Sequence, residues 1–409
     1  MKILWITNIM LPPLCEKLGL KVPVVGGWMY SSAKNLVEDS DITLAVATVY
    51  EGNEIVDIQI GKIHYFLLPL KHKDRTKYHS FLESYWRDIK ESFKPEIVHI
   101  HGTEFAHGMA YIKACGSEGV VVSIQGLVSV YERFYYASIS FFDILKSLSF
   151  RDILRFDTLF QQKRKFFERG KIEREYITCV KHVIGRTFWD KAHVWAINPK
   201  ASYHHCNETL RLEFYQHKWV YEECEKYSIF TSQAAYPIKG GHKLLEAFSI
   251  VLKHYPEAKL YIGGTNIFNV PWYKKTGYSR YLSKLIKKFG IEGKVIFTGP
   301  LNSSEMCQRF LKSNIFICPS AIENSPNSLG EAQLLGVPYL VSYVGGCPDL
   351  VNNVLEDCYS FDEVEILAYK ICNLFERKNV CYNTTPIEIR HNELNNKKQL
   401  LRIYEEILN

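Results

Sequence analysis

No Cys-x-x-Cys pair occurs in this chain, although it holds eleven cysteines, and their spacing is irregular. That excludes a disulfide framework or a cysteine zinc site and reads as reduced, core-filling thiol in the cytosol. Apolar runs are short: none approaches the roughly 20 residues of a membrane-spanning helix. The opening "MKILWITNIMLPP" is interrupted by Thr7 and Asn8, stopped by Pro12 and followed by no small-residue cleavage site, so it reads as a first buried strand and not as a signal peptide. Arginine-rich tracts, helix-turn-helix patterns and RNP-like motifs are lacking, which excludes a nucleic-acid partner. Charge of one sign is not concentrated either. The net charge of +6 is mild and suits an acidic small ligand or an anionic membrane surface.

What is present is the composition of a folded protein, 47% hydrophobic and 23% charged. Its length of 409 residues implies two or three domains. Apolar strand candidates at 2–9, 41–49, 62–69, 96–102, 119–126 and 180–187 alternate with helical patterns, as around 30–38 and 77–92. Continuous apolar runs of that kind belong to a buried parallel sheet, and the alternation predicts a doubly wound α/β domain. A second series repeats the pattern: strands at 227–233, 258–264, 294–300, 315–320 and 338–343, with amphipathic helices at 241–255 and 303–313. The expected division is a first domain over 1–205, a linker over 206–226, a second domain over 227–385, and a final helix within 386–409 that belongs to neither sheet by order and has the option of returning to the first domain.

The stretch "ENSPNSLGEAQLLGVP" (323–338) carries the sharpest local signal. Ser325 is read as N-cap, Pro326 as the first helical residue, and Gly336 with Pro338 as the stop. The N–H groups of Asn327, Ser328 and Leu329 would then point out of the helix start, an end that attracts phosphates. Glu323 lies just before this helix and Glu331 inside it. Solvated carboxylates favoured by the positive helix end are the plain reading. Ligands of open α/β sheets, however, bind beyond the carboxyl ends of the strands, which is where Glu323 falls.

Here the residues resemble a known family. "SQAAYPIKGGHKLLEA", "FTGPL" and "ENSPNSLGEA" look like a family 4 glycosyltransferase of the GT-B fold, while "HIHGTEFAHG", "SIQGLVS", "VIGRTFWD" and "CNETLR" look like a branch found among bacterial capsule and exopolysaccharide enzymes. No G-x-G-x-x-G follows the first strand, which argues against a nicotinamide dehydrogenase. The resemblance implies two facing Rossmann-like domains, the second binding a nucleotide-diphospho-sugar and the first a glycan or lipid-linked glycan. It implies transfer of a hexosyl or N-acetylhexosaminyl group with retention in surface polysaccharide synthesis, with no metal and no cofactor. A catalytically silent nucleotide-sugar-binding subunit is the alternative. The implied place is the cytoplasm, with peripheral attachment to the inner face of the cell membrane as a further option.

Chemistry assigns the roles. The leaving group is a diphosphate, so developing negative charge must be stabilised. Lys239 in "PIKGG" is the candidate cation, with Gly240 and Gly241 letting the backbone approach the ligand. Glu331 would accept from ribose hydroxyls, and Glu323 would hold the sugar. The base is expected near Gly299, Pro300 and Leu301, with Gly264 on the same rim, and Gly26 and Gly27 as the first domain's approach to the donor. Many relatives carry an arginine where Ala234 stands, and Arg186 is the candidate replacement, against the reading that it pairs with Asp190 or Glu104. Thr103, Glu104, His107 and Gln125 are the expected acceptor contacts, while His101 is read as packed at a strand end. The mixed apolar and basic segment 139–171 is either a helix pair covering the sheet or an interfacial membrane surface.

Overall fold

A computed structural model describes residues 1–22, 27–38, 41–377 and 384–409. The chain forms two parallel-dominated sheets. The first contains β1 (Lys2–Ile6), β2 (Thr43–Tyr50), β3 (Val56–Ile60), β4 (Ile63–Pro69), β5 (Ile97–His101), β6 (Val120–Ser123), β7 (His182–Gly185) and β8 (Ser202–His205). Their order is β3-β4-β2-β1-β5-β6-β7-β8, with only β3 and β4 antiparallel. The second contains β9 (Glu225–Thr231), β10 (Lys259–Ile262), β11 (Val295–Phe297), β12 (Ser313–Cys318), β13 (Tyr339–Ser342) and β14 (Cys358–Tyr359), in the order β11-β10-β9-β12-β13-β14.

All eleven expected strands form. β3, β8 and β14 are additional, and each is an edge strand with a polar or very short sequence, so the apolar-run signal passes over them. The central strands read as continuous apolar runs because both faces are covered. Leu4 and Ile6 of β1 point into one cluster with Trp86 and Met109, while Ile3 and Trp5 point into another with Met29 and Tyr404.

The chain divides into two compact units, and it crosses between them four times. Unit 1 holds 1–130, 166–209 and 389–409; unit 2 holds 131–165 and 210–388. Two differences from the expected boundaries follow. Residues 131–165, assigned above to the first domain, cluster with unit 2. The expected linker from 210 onward is part of unit 2, where the short helix Leu212–Tyr215 packs Phe214 against Phe310 at 5.7 Å between ring centroids. The final helix, Glu393–Leu408, lies in unit 1, where Tyr404 accepts from Trp5 Nε1 at 3.0 Å and meets His99 Nδ1 at 2.6 Å.

Segment 139–171 is not a simple helix pair. It forms the helices Phe141–Lys146 and Phe150–Leu154 and the start of the long helix Leu159–Cys179. Ser140 and Ser149 cap the two short helices by accepting from Asp143 N–H and Asp152 N–H, both at 3.1 Å.

Candidate functional site

The order of the second sheet reverses between β9 and β12, which makes their carboxyl ends the topological switch point. Lys239 sits in the loop after β9, and Glu323 in the loop after β12. The structure brings them together: Lys239 Nζ pairs with a Glu323 carboxylate oxygen, which also accepts from Ser320 Oγ at 2.8 Å. Glu323 is buried and Lys239 half-buried. Burial opposes the lysine's charge, but the adjacent carboxylate outweighs it and holds the ammonium above its usual range.

The two loops are joined through their backbones. Ala321 N–H donates to Ile238 O at 2.7 Å, and Gly346 N–H to Glu323 O at 3.0 Å. Gly240, at φ +66°, lies so close that a Cβ would stand 1.6 Å from the Pro319 carbonyl oxygen. This corrects one expectation. Gly240 serves loop-to-loop packing, and Gly241 faces the Ala234 side chain, where a Cβ would fall at 2.6 Å. Gly264 and Gly299 behave differently. They bridge through Gly264 N–H to Gly299 O at 3.1 Å, at φ +99° and +79°, and a Cβ on either would meet nothing within 4 Å. Pro300 beside them is exposed, and Leu301 packs at the core's edge.

The capped helix is Asn327–Leu335, with Pro326 as N-cap and no side-chain cap. Ser325 therefore does not cap it. Leu329 N–H is turned back to Pro326 O at 3.0 Å, so that donor is already used, while Asn327 and Ser328 occupy the first turn. The helix is buried because Leu329, Leu334 and Leu335 pack into the second unit's core.

Glu331 is where sequence reading and structure differ most. Its carboxylate is gripped bidentately by Arg211, Nε to Oε1 and Nη2 to Oε2, both at 2.6 Å. Burial raises its pKa, and the Arg211 hydrogen bonds and charge offset that rise only in part. Arg211 lies in the stretch expected as linker, where "CNETLR" places an isolated charge of each sign between two apolar domains. Tyr131 is a second residue the sequence did not point to. Its phenol is pushed well up by burial and then by the nearby Glu323 charge. Two further cations of unit 2 are also engaged, Lys243 with Asp362 at 2.9 Å and Arg280 with Leu148 O.

In unit 1 the segments after β5 and β6 carry the expected acceptor residues. Two of them are interior. Thr103 is buried and donates to Glu173 at 2.9 Å; His107 is buried with Nε2 3.0 Å from Thr7 O, and burial lowers its pKa to about 4. Glu173 collects Thr103, Val128 N–H and both Ser129 donors, which orders the loop after β6. Its position inside a basic helix gave no signal. Glu104 is half-buried, accepts from Asn8 at 3.0 Å, and has its carboxyl raised to about 7 by burial. His101 is packed at its strand end, stacked on His99 at 3.8 Å.

Arg186 pairs neither with Glu104 nor, through its guanidinium, with Asp190. Nη1 meets Glu208 Oε2 at 2.6 Å and Nη2 donates to Gln125 O at 3.2 Å, while its backbone N–H goes to Asp190 at 2.9 Å. Gln125 donates to the same Glu208 at 2.8 Å. The Arg186 guanidinium is thus buried and engaged within unit 1. Gly26 lies outside the described residues; Gly27 opens the helix Gly27–Leu36. Among the described residues no group of three or more His, Cys, Asp or Glu side chains is placed to hold a metal ion, and no helix is long and apolar enough to cross a membrane.

Residues 215–372 match the family model for glycosyl transferases group 1. Among curated proteins, mannosylfructose-phosphate synthase of Agrobacterium fabrum is 28% identical over 110 residues, 26% of this chain and 23% of that protein. The match therefore spans about a quarter of that relative's length. Two solved structures share the architecture over the whole chain. Sucrose-phosphate synthase of Thermosynechococcus elongatus superposes with TM-score 0.67 at 15% identity, covering 100% of this chain and 96% of that one. Anabaena HepE in complex with UDP-glucose gives 0.68 at 13%, covering 99% and 100%. The fold is GT-B.

Proposed function

We propose that the protein is a glycosyltransferase that moves a sugar from a nucleotide-diphospho-sugar to a glycan or lipid-linked glycan, with retention at the anomeric carbon. The observation that carries this reading is the Lys239–Glu323 pair at the β9/β12 switch point. The match of residues 215–372 to glycosyl transferases group 1 and the HepE complex with UDP-glucose support it.

Each residue then has a task. The bond between the anomeric carbon and the diphosphate oxygen breaks, and charge grows on that oxygen. Lys239 leaves Glu323 for the diphosphate, joined by the first-turn N–H groups of Asn327 and Ser328. Glu323, released from the lysine, accepts from sugar hydroxyls and favours the positive character of the anomeric centre. The departing diphosphate oxygen takes the acceptor proton. Gly264, Gly299, Pro300 and Leu301 form the rim for the base. Glu331 reaches the ribose while Arg211 fixes its orientation. In the first unit, Glu104 and Gln125 face the acceptor, and Thr103, His107 and Arg186 hold the loops that carry them. A role in surface polysaccharide synthesis and a cytoplasmic place complete this reading.

A second reading is a silent nucleotide-sugar-binding subunit. It draws on one observation, that Glu331 and Lys239 are both already ion-paired. Incubation with a panel of nucleotide-diphospho-sugars separates the two. Release of free nucleotide from one donor, abolished in Lys239→Met, is the expected result. Saturable binding without release selects the silent subunit, and neither binding nor release refutes both.

A further inference from the structure

Unit 2 carries an excursion, residues 131–165, whose amphipathicity is inverted. Several of its polar groups face the protein. Asp152 is buried, accepts from Gly277 N–H at 2.5 Å and pairs with Arg151 at 2.6 Å. His242 Nε2 lies 2.8 Å from Ala137 O, and Arg280 and Lys284 donate to the carbonyls of Leu148 and Lys146. Many of its large apolar side chains face out. In the helix Phe141–Lys146, Ile144 is buried, yet Phe142 is 70% exposed with Phe141 and Leu145 beside it. In the helix Phe150–Leu154 and the residues after it, Ile153, Leu154, Arg155 and Phe156 form an unbroken exposed run. Phe156 is 73% exposed and adopts φ +50°, a conformation a bulky side chain rarely takes.

The neighbouring segment supplies the matching charge. Phe150 lies 6.2 Å, centroid to centroid, from the ring of Trp272, itself 72% exposed. Residues 268–290 contain Lys274, Lys275, Arg280, Lys284, Lys287 and Lys288 and no aspartate or glutamate. In the helix Gly277–Phe289, Leu282 and Ile286 are buried, while Lys284, Lys287 and Lys288 are exposed. Exposed aromatic and aliphatic side chains bordered by an all-cationic helix are complementary to a surface that is apolar inside and anionic outside.

We infer that this face of unit 2 docks on an anionic lipid bilayer, with Phe142, Leu154 and Phe156 entering the acyl boundary and Lys287 and Lys288 meeting the headgroups. Anchorage through the donor-binding unit would hold the enzyme where a lipid-linked acceptor lies. The inference extends the proposed function, but its test reads lipid binding alone and so stands or falls apart from turnover.

The test is flotation of the full chain with phosphatidylcholine vesicles and with vesicles that also carry phosphatidylglycerol. Binding to the anionic vesicles, weakened by salt and absent on the neutral ones, is expected. Lys287→Glu with Lys288→Glu should lower partition about tenfold or more. Phe142→Glu with Leu154→Glu should abolish it while leaving the circular dichroism spectrum and melting temperature unchanged, since all four side chains point to solvent. Failure to bind anionic vesicles, or binding that neither pair of substitutions alters, overturns the proposal. So does a dimer in vesicle-free sedimentation that Phe142→Glu dissociates, because the face would then belong to a second copy.

Discussion

Replacing Glu331 by alanine probes both the stability and the function of unit 2. Two parallel N–H to oxygen bonds at 2.6 Å tie it to Arg211, with the carboxylate side chain 4% exposed and the arginine 18%. Removing one partner of a fully buried pair costs about 3–5 kcal/mol, mostly through the charge left behind. Arg211 keeps some contact with water and can rehydrate, so Glu331→Ala should cost about 2–3 kcal/mol. Arg211→Ala leaves the more buried partner. Its carboxyl, already raised by burial, then binds a proton more readily folded than unfolded. The folded state thus holds more protons above the unfolded carboxylate pKa, and the variant should lose stability as pH rises from that point. In a double-mutant cycle by urea unfolding, the coupling should be about 1.5–3 kcal/mol. A coupling below about 0.5 kcal/mol would refute the strap. Nucleotide affinity is the second readout of the same variants. If the strapped carboxylate meets the ribose, folded Glu331→Ala should bind nucleotide about 1–3 kcal/mol more weakly. Unchanged affinity would leave Glu331 as a structural group alone.

Glu323→Gln should cut turnover strongly while keeping nucleoside diphosphate affinity, since Lys239 is freed rather than lost; full turnover would return Glu323 to a structural role. Activity should survive excess chelator, because Lys239 and the helix start meet the diphosphate, and loss restored by magnesium or manganese would contradict this. Glu104 has a folded pKa of about 7, above the unfolded value, so it opposes folding increasingly as pH rises from that lower value toward 7. The stability of Glu104→Gln minus that of the parent should therefore grow over that window and then level off, and a flat difference would dismiss the shift. Gly240→Ala should destabilise unit 2 by more than about 2 kcal/mol, because a Cβ would meet the Pro319 carbonyl in a left-handed backbone; a melting temperature like the parent's would show that the loops can part.

The strands were legible because buried parallel strands must be apolar on both faces, and the Pro326 and Gly336 signals bounded the helix Asn327–Leu335 to within a residue. The edge strands β3, β8 and β14 were not, because β3 and β8 hold no fully buried position and β14 has only two residues. The unit boundary at 130/131 escaped because the segment that crosses it carries apolar residues for a surface rather than a core. Glu208 and Arg211 lie three residues apart, yet the first is bound to Arg186 of unit 1 and the second to Glu331 of unit 2, pairings that no local spacing encodes.

The sequence by itself determined the two α/β sheets, the residue types beyond their strand ends and the presence of Lys239, Glu323 and Glu331, because periodicity, capping and turn chemistry act within a few residues. Only the tertiary structure decided which of those charges meet. Ion pairing in a buried site depends on which strands become neighbours, and β9 beside β12 brings Lys239 to Glu323 across 84 residues, as chain folding brings Arg211 to Glu331 across 120. A charge taken out of water must find its partner wherever the fold places one, and that requirement sets Arg186 against Glu208 and Arg211, from the stretch expected as linker, against Glu331.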